Sequence, residues 1–196
     1  MTKRLIGNIT IVSALFVLSS FALPKSWFKA GSDPNKYEMG VEVGAGHDGK
    51  NAATIKSMSA DIKGFGTLMQ NCLPSKFAGK RIRMSAFIKS FELTGWCGLW
   101  LRVDGFDSKK PISFDNMNDR AIRGTTDWKK YEIVLDVPAN ASNIAYGVLL
   151  TKAGQVWFDT ITFEVVDNSV SPTGKSGKQF EKNCASSEPQ NLNFEE

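Results

Sequence analysis

Apolar and polar residues in the middle of this chain alternate one for one. Ile82, Met84, Ala86 and Ile88 alternate with Arg81, Arg83, Ser85 and Phe87. Leu99, Leu101 and Val103 alternate with Trp100, Arg102 and Asp104, and Tyr131, Ile133, Leu135 and Val137 with Glu132, Val134 and Asp136. A period of two places successive side chains on opposite faces of a strand, so these runs read as half-buried β-strands, not helices. Tyr37–Val43, Ala53–Met58, Phe65–Gln70, Ala145–Thr151 and Val156–Val165 are further strand candidates. Turn signals separate them: Gly44-Ala45-Gly46, Asp48-Gly49, Ala78-Gly79, Asp104-Gly105, Pro138 to Asn143, and Gly154. Many short strands with almost no amphipathic helix predict an all-β sandwich or jelly roll.

The ends of the chain do not share this pattern. Lys3 and Arg4 precede an apolar, uncharged run from Ile9 to Leu18, and Ser20-Phe21-Ala22 offers small residues around a cleavage point after Ala22. That is the pattern of a secretory signal over residues 1–22, and it predicts a secreted or periplasmic protein with no stable membrane insertion after cleavage. An uncleaved anchor is the alternative, against which the apolar run is shorter than the roughly 20 residues a spanning helix needs. From Asn168 to Glu196, Ser, Pro, Gly, Lys, Asn and Glu dominate. Such a tail is expected to be disordered, because it buries too little apolar surface to offset its ordering entropy. One domain is therefore expected over residues 23–167.

Composition excludes several classes. The formal charge of +4 falls to +2 without Lys3 and Arg4, and lysines and acids are interspersed. No basic block tracks a phosphate backbone, so a nucleic-acid partner is not expected. Of three cysteines, Cys72, Cys97 and Cys184, one at least is unpaired within the chain. Cys72 and Cys97 are read as buried free thiols, packing as small hydrophobes.

Several segments together carry a family resemblance. They are Trp27-Phe28-Lys29-Ala30-Gly31-Ser32 with Tyr37-Glu38-Met39-Gly40, Phe65-Gly66-Thr67-Leu68-Met69-Gln70, and Gly79-Lys80-Arg81-Ile82-Arg83. Leu99 to Asp104, Phe114 to Arg120, Gly124-Thr125-Thr126-Asp127-Trp128 with Tyr131, and Gly154 to Asp159 complete the order. Over residues 27–166 the chain resembles the galactose-binding-like jelly rolls of carbohydrate-binding modules. It is especially similar to a bacterial subgroup attached to AraC-type transcriptional regulators and found in stand-alone exported proteins. The resemblance implies the fold and, as an expectation, carbohydrate binding. It also implies a structural calcium held by loop oxygens, for which Glu38, Asp48 and Asp159 are the nearest matches.

The site has to be argued from residues. If Leu99, Leu101 and Val103 enter the core, Trp100, Arg102 and Asp104 share the other face. An indole covers the apolar face of a sugar, while a guanidinium and a carboxylate hydrogen-bond its hydroxyls. The alternative is that a loop or second sheet covers this face, making Arg102–Asp104 a satisfied pair. Asn116 and Arg120 are expected to complete the pocket, with pairing of Arg120 to a neighbouring carboxylate as the alternative, whereas Asp115 and Asn118 read as turn chemistry. Gln70 offers a further amide on the same face or, equally, bonds backbone, and Trp96, placed in a Thr94-Gly95-Trp96 turn, offers a second stacking aromatic. Trp27, Trp128 and Trp157 read as packing.

Catalysis finds little support. His47 is the sole histidine and sits among Gly46, Asp48 and Gly49, and no metal-ligand spacing, nucleophile elbow or phosphate loop occurs. An Asp104–Asp115 acid/base pair of glycosidase type is the enzymatic alternative. The chain thus reads as an exported, non-catalytic module for a saccharide or similar polar ligand, with a structural or protein-interaction sandwich as the alternative and a small glycoside hydrolase third.

Overall fold

The computed structural model describes residues 21–106, 110–176 and 189–195. Residues 1–20 and Cys184 lie outside them, and with these most of the expected signal segment. Among the described residues the strands are β1 (Phe28–Gly31), β2 (Tyr37–Glu42), β3 (Ala52–Ser57), β4 (Phe65–Cys72), β5 (Lys80–Gly105), β6 (Ser113–Asp115), β7 (Ile122–Val137), β8 (Ala141–Thr151), β9 (Gln155–Val166) and β10 (Lys175–Ser176). Among the described residues helix is confined to single 3-10 turns at Pro34–Lys36 and Asn118–Arg120. The expected β-sandwich of jelly-roll type is the fold observed.

One strand makes the sandwich from a single hydrogen-bonded network. β5 is 26 residues long; its first half pairs with β7 and β9, and its second half with β8 and β6. The front layer is β1-β4-β8-β5-β6, and the back layer is β2-β3-β9-β5-β7. The sequence reads this stretch as two strands joined by a turn at Thr94-Gly95-Trp96. Instead the chain stays extended and passes between the layers through register shifts at Ile88/Ser90, Ser90/Leu93 and Leu93/Cys97, with Glu92 at φ 50°. Bulges of this kind bend a strand without ending it.

The core lies between the layers and follows the alternation. Ile82, Met84, Ala86, Ile88, Leu99, Leu101 and Val103 are fully buried. They meet Ile144, Tyr146, Val148 and Leu150 of β8 and Phe158 of β9 in one cluster. Cys72 and Cys97 are buried in it, and burial drives the Cys97 thiol far above its ordinary pKa. Trp27 joins the core, meeting Tyr146 edge-on at 5.7 Å. Trp128 and Trp157 are only half-buried. Trp157 lies on the outer face of the back layer, where its Nε1 donates to Glu42 at 2.7 Å.

The tail departs from the expectation of disorder wherever it is described. Thr173 donates to Val134 and to the Asp115 carboxylate, and β10 pairs with β6. Phe194 is 1% exposed. Isolated apolar residues were read as too few to dock, yet Leu192 and Phe194 both reach the core. At the other end, Val41 N–H donates to Ala22 O at 2.7 Å. No helix among the described residues is long and apolar enough to cross a membrane.

Candidate functional site

The outer face of the front layer carries a cavity of about 630 Å³. Strand parity decides which side chains line it. Core-facing Leu99, Leu101 and Val103 turn Trp100, Arg102 and Asp104 outward, as the alternation predicts. The strand register then lays out rows: Thr67, Leu149 and Gly98; Met69, Gly147 and Trp100; Asn71, Ala145 and Arg102; and Asn143 beside Asp104. Phe114 stands opposite Arg102 on β6, and Phe65, Thr151, Trp96 and Asn116 also border the cavity.

Trp100 forms the floor. Gly147, its partner on β8, has no side chain, so the indole reaches across β8, and its Nε1 donates to Thr67 Oγ1 of β4 at 2.8 Å. It packs with Ala145, Leu149, Met69 and Trp96 and is 9% exposed. The ring is therefore a fixed platform, held at its polar edge and packed from below. Trp96 is half-buried and lines the cavity, not an exposed turn, because β5 does not turn there.

The charged end is a closed circuit. Arg102 Nε donates to Asp104 Oδ1 at 2.6 Å, and Asn143 Nδ2 donates to Asp104 Oδ2 at 2.9 Å. The Asp104 side chain is 6% exposed and that of Arg102 41%. The carboxylate is thus spent on its neighbours, while the guanidinium borders the cavity. Asn116 also borders it, with its Oδ1 accepting from Asn118 N–H at 3.2 Å.

Two expected ligand contacts are corrected. Gln70 lies on the core-facing parity of β4, where its Oε1 accepts from Tyr146 and its amide meets the Gln190 backbone. Arg120 is turned away from the cavity onto Asp115, with Nη2 at 2.6 Å from Oδ2. Asp115 lies opposite Leu101 in the register and shares its inward parity. There, burial opposes ionisation, but donors from Arg120, Thr173 and the Met117 N–H outweigh it and hold the carboxyl below its ordinary range. Asp104 and Asp115 therefore point to opposite faces of the layer and form no acid/base pair.

Two of the three carboxylates matched to a calcium site, Asp48 and Asp159, accept backbone N–H groups. Asp159 is 2% exposed, and its oxygens accept the His47 and Thr160 N–H groups at 3.0 and 2.5 Å. Burial, above all, raises its pKa despite these donors. Asp48 accepts from Lys50 N–H at 3.0 Å, and Glu38 pairs across to Lys56 on β3. Among the described residues no three His, Cys, Asp or Glu side chains gather to hold a metal. His47 instead stacks on Phe87 at 3.6 Å.

Asn143, Thr67, Phe65, Met69 and Phe114 are not among the site residues expected from the sequence. Extending the β8 alternation back to Asn143 puts it in phase with Ala145. Its place beside Asp104, however, depends on strand order.

No family model matches the chain. It is 43% identical over 175 residues to the uncharacterized HTH-type transcriptional regulator YbfP of Bacillus subtilis (strain 168), a match taking in 88% of this chain. The match spans 57% of that relative's length. Among solved structures, the CBM22-1 xylan-binding domain of Paenibacillus barcinonensis Xyn10C is similar at a TM-score of 0.51 and 14% identity, over 75% of this chain and 90% of that one. The CBM22-1–GH10 modules of Clostridium thermocellum xylanase 10B, complexed with xylohexaose, align at 0.50 and 18%, over 79% and 29%. The Stig cyclase Fisc of Fischerella sp. TAU aligns at 0.51 and 15%, over 78% and 92%. At these identities the likeness is one of fold: the chain is a β-sandwich jelly roll of the kind seen in carbohydrate-binding modules.

Proposed function

We propose that this domain is a non-catalytic binding module taking a saccharide ring, or a ligand of similar shape and polarity, onto Trp100. The observation that carries this reading is one cavity joining two indoles, Trp96 and Trp100, to Arg102, Asn116 and Asn143. An aromatic floor suits the C–H face of a pyranose, and amide and guanidinium groups at its edge suit the hydroxyls. A fixed indole loses little conformational freedom on binding, which favours affinity from a small contact. The carbohydrate-binding modules of the same fold support the ligand class, and the HTH-type relative supports kinship with modules attached to AraC-type regulators. With the leader pattern of residues 1–22, this chain is a secreted or periplasmic form of such a module, without nucleic-acid or membrane partners of its own.

A second reading, a structural or protein-interaction sandwich, is favoured by the Asp104 carboxylate being satisfied within the protein. A glycan array probed with the full chain, followed by calorimetric titration, separates the two. Binding should weaken by about tenfold or more in Arg102→Met, the loss expected for a charged hydrogen bond. A folded chain that binds no glycan on a broad array overturns the saccharide reading.

A further inference from the structure

Away from the cavity, residues 189–195 occupy a groove that opens between the layers. The domain reads the backbone of this segment. Gln70, 1% exposed, accepts the Gln190 N–H on Oε1 at 2.8 Å and donates from Nε2 to Gln190 O at 3.0 Å. Trp27 Nε1 donates to the same carbonyl at 3.3 Å. β3 pairs with β9 only as far as Phe158, and beyond it the Ile161 N–H donates to Leu192 O at 3.0 Å. The Phe194 ring then enters between Trp27 and Phe158, 5.3 Å from each. Asn51 N–H closes the contact on Glu195 at 2.9 Å.

These contacts have the form of peptide recognition. Backbone hydrogen bonds come from side chains and a strand edge, one aromatic anchor fills a pocket, and one carboxylate is capped. Of the groups that receive the segment Gln70 is buried, and without the segment its Nε2 would lose its acceptor while Oε1 keeps the Tyr146 hydroxyl. Buried amides of this kind carry a cost when left unpaired. Phe194 adopts φ 61° to insert its ring, a conformation a bulky residue keeps only when its surroundings dictate it.

We infer that this groove is a peptide-binding site, occupied in cis by a detachable ligand, the chain's own Gln190–Glu195. Its ligand class is a short peptide that turns so that the N–H of its phenylalanine meets the carbonyl three residues before it, with a leucine two residues ahead of the phenylalanine and an acid after it. The segment belongs to the same chain, so its docking is intramolecular and a free peptide does not compete in the wild-type chain.

Full-length Gln190→Pro/Phe194→Ala, lacking the N–H given to Gln70 and the anchor ring, should release the groove. A fluorescent peptide of residues 189–195 should then bind the variant saturably and raise its Tm toward the wild-type value. The same peptide with Phe194→Ala should bind at least about thirtyfold more weakly. Hydrogen exchange on the wild-type chain gives an independent reading that requires no variant. The Asn51, Ile161 and Gln190 amides should exchange together, faster than the core amides of β5. A variant of wild-type stability that binds no peptide overturns the inference, as does exchange of these amides only with global unfolding. A concentration-dependent dimer of the wild-type chain overturns the cis assignment and puts a second copy's segment in the groove.

Discussion

Replacing Trp100 by phenylalanine and Thr67 by valine, singly and together, tests whether the indole is the built floor of a site. The Trp100 Nε1–Thr67 Oγ1 bond spans from β5 to β4 across β8, and Thr67 Oγ1 also donates to Val148 O at 2.7 Å. Trp100→Phe keeps a ring over Gly147 but loses the donor. Thr67 stays paired through Val148, so the cost is that of one net hydrogen bond, about 1 kcal/mol, plus some lost contact area. Thr67→Val removes the acceptor and leaves Val148 O without this donor, for about 1–3 kcal/mol. The double variant should be more stable than the sum of the two losses implies, with a coupling of about 1 kcal/mol. Trp100→Ala should cost about 3 kcal/mol, the low end for buried aromatic truncation, because the upper side of the ring borders the cavity. Urea unfolding of the variants measures each quantity. A coupling indistinguishable from zero, or a Trp100→Ala loss below about 1 kcal/mol, would show that the ring is not fixed and refute the platform argument.

The depressed Asp115 carboxyl gives a pH dependence of definite sign. Its contribution to stability is full above the unfolded carboxylate value of about 4 and lost as pH falls through its lower folded value. Wild type should therefore lose more Tm than Asp115→Asn between pH 5 and pH 2, by scanning calorimetry; parallel curves would remove Asp115 as the cause. Cys72 and Cys97 should resist alkylation in the folded chain and react on unfolding, because both are buried and the Cys97 thiolate is strongly disfavoured; rapid labelling under native conditions counts against it. Gly66→Ala should destabilise by about 1–3 kcal/mol through overpacking, since a Cβ there meets Met39 and Tyr37 side-chain carbons at 2.5 Å. An unchanged denaturation midpoint would mean that these side chains move aside freely.

What the sequence by itself determined here is local. Period two assigned Leu99, Leu101 and Val103 inward and Trp100, Arg102 and Asp104 outward, because side-chain alternation is a property of a single extended strand. It could not say that β8 stands next to Trp100, which decides that Gly147 clears the way to Thr67 and that Asn143 satisfies Asp104. Gln70 and Arg120 were misplaced for a related reason. An amide at a strand end and a guanidinium in a loop fit either face, and only Tyr146, Gln190 and Asp115, brought in from elsewhere in the chain, decide between them. Composition also misread the described parts of the tail. It averages over residues, whereas docking needed one phenylalanine and one leucine at the right places in a groove. That groove is assembled from Trp27, Gln70, Tyr146 and Phe158, residues far apart in sequence that meet only when the two layers close.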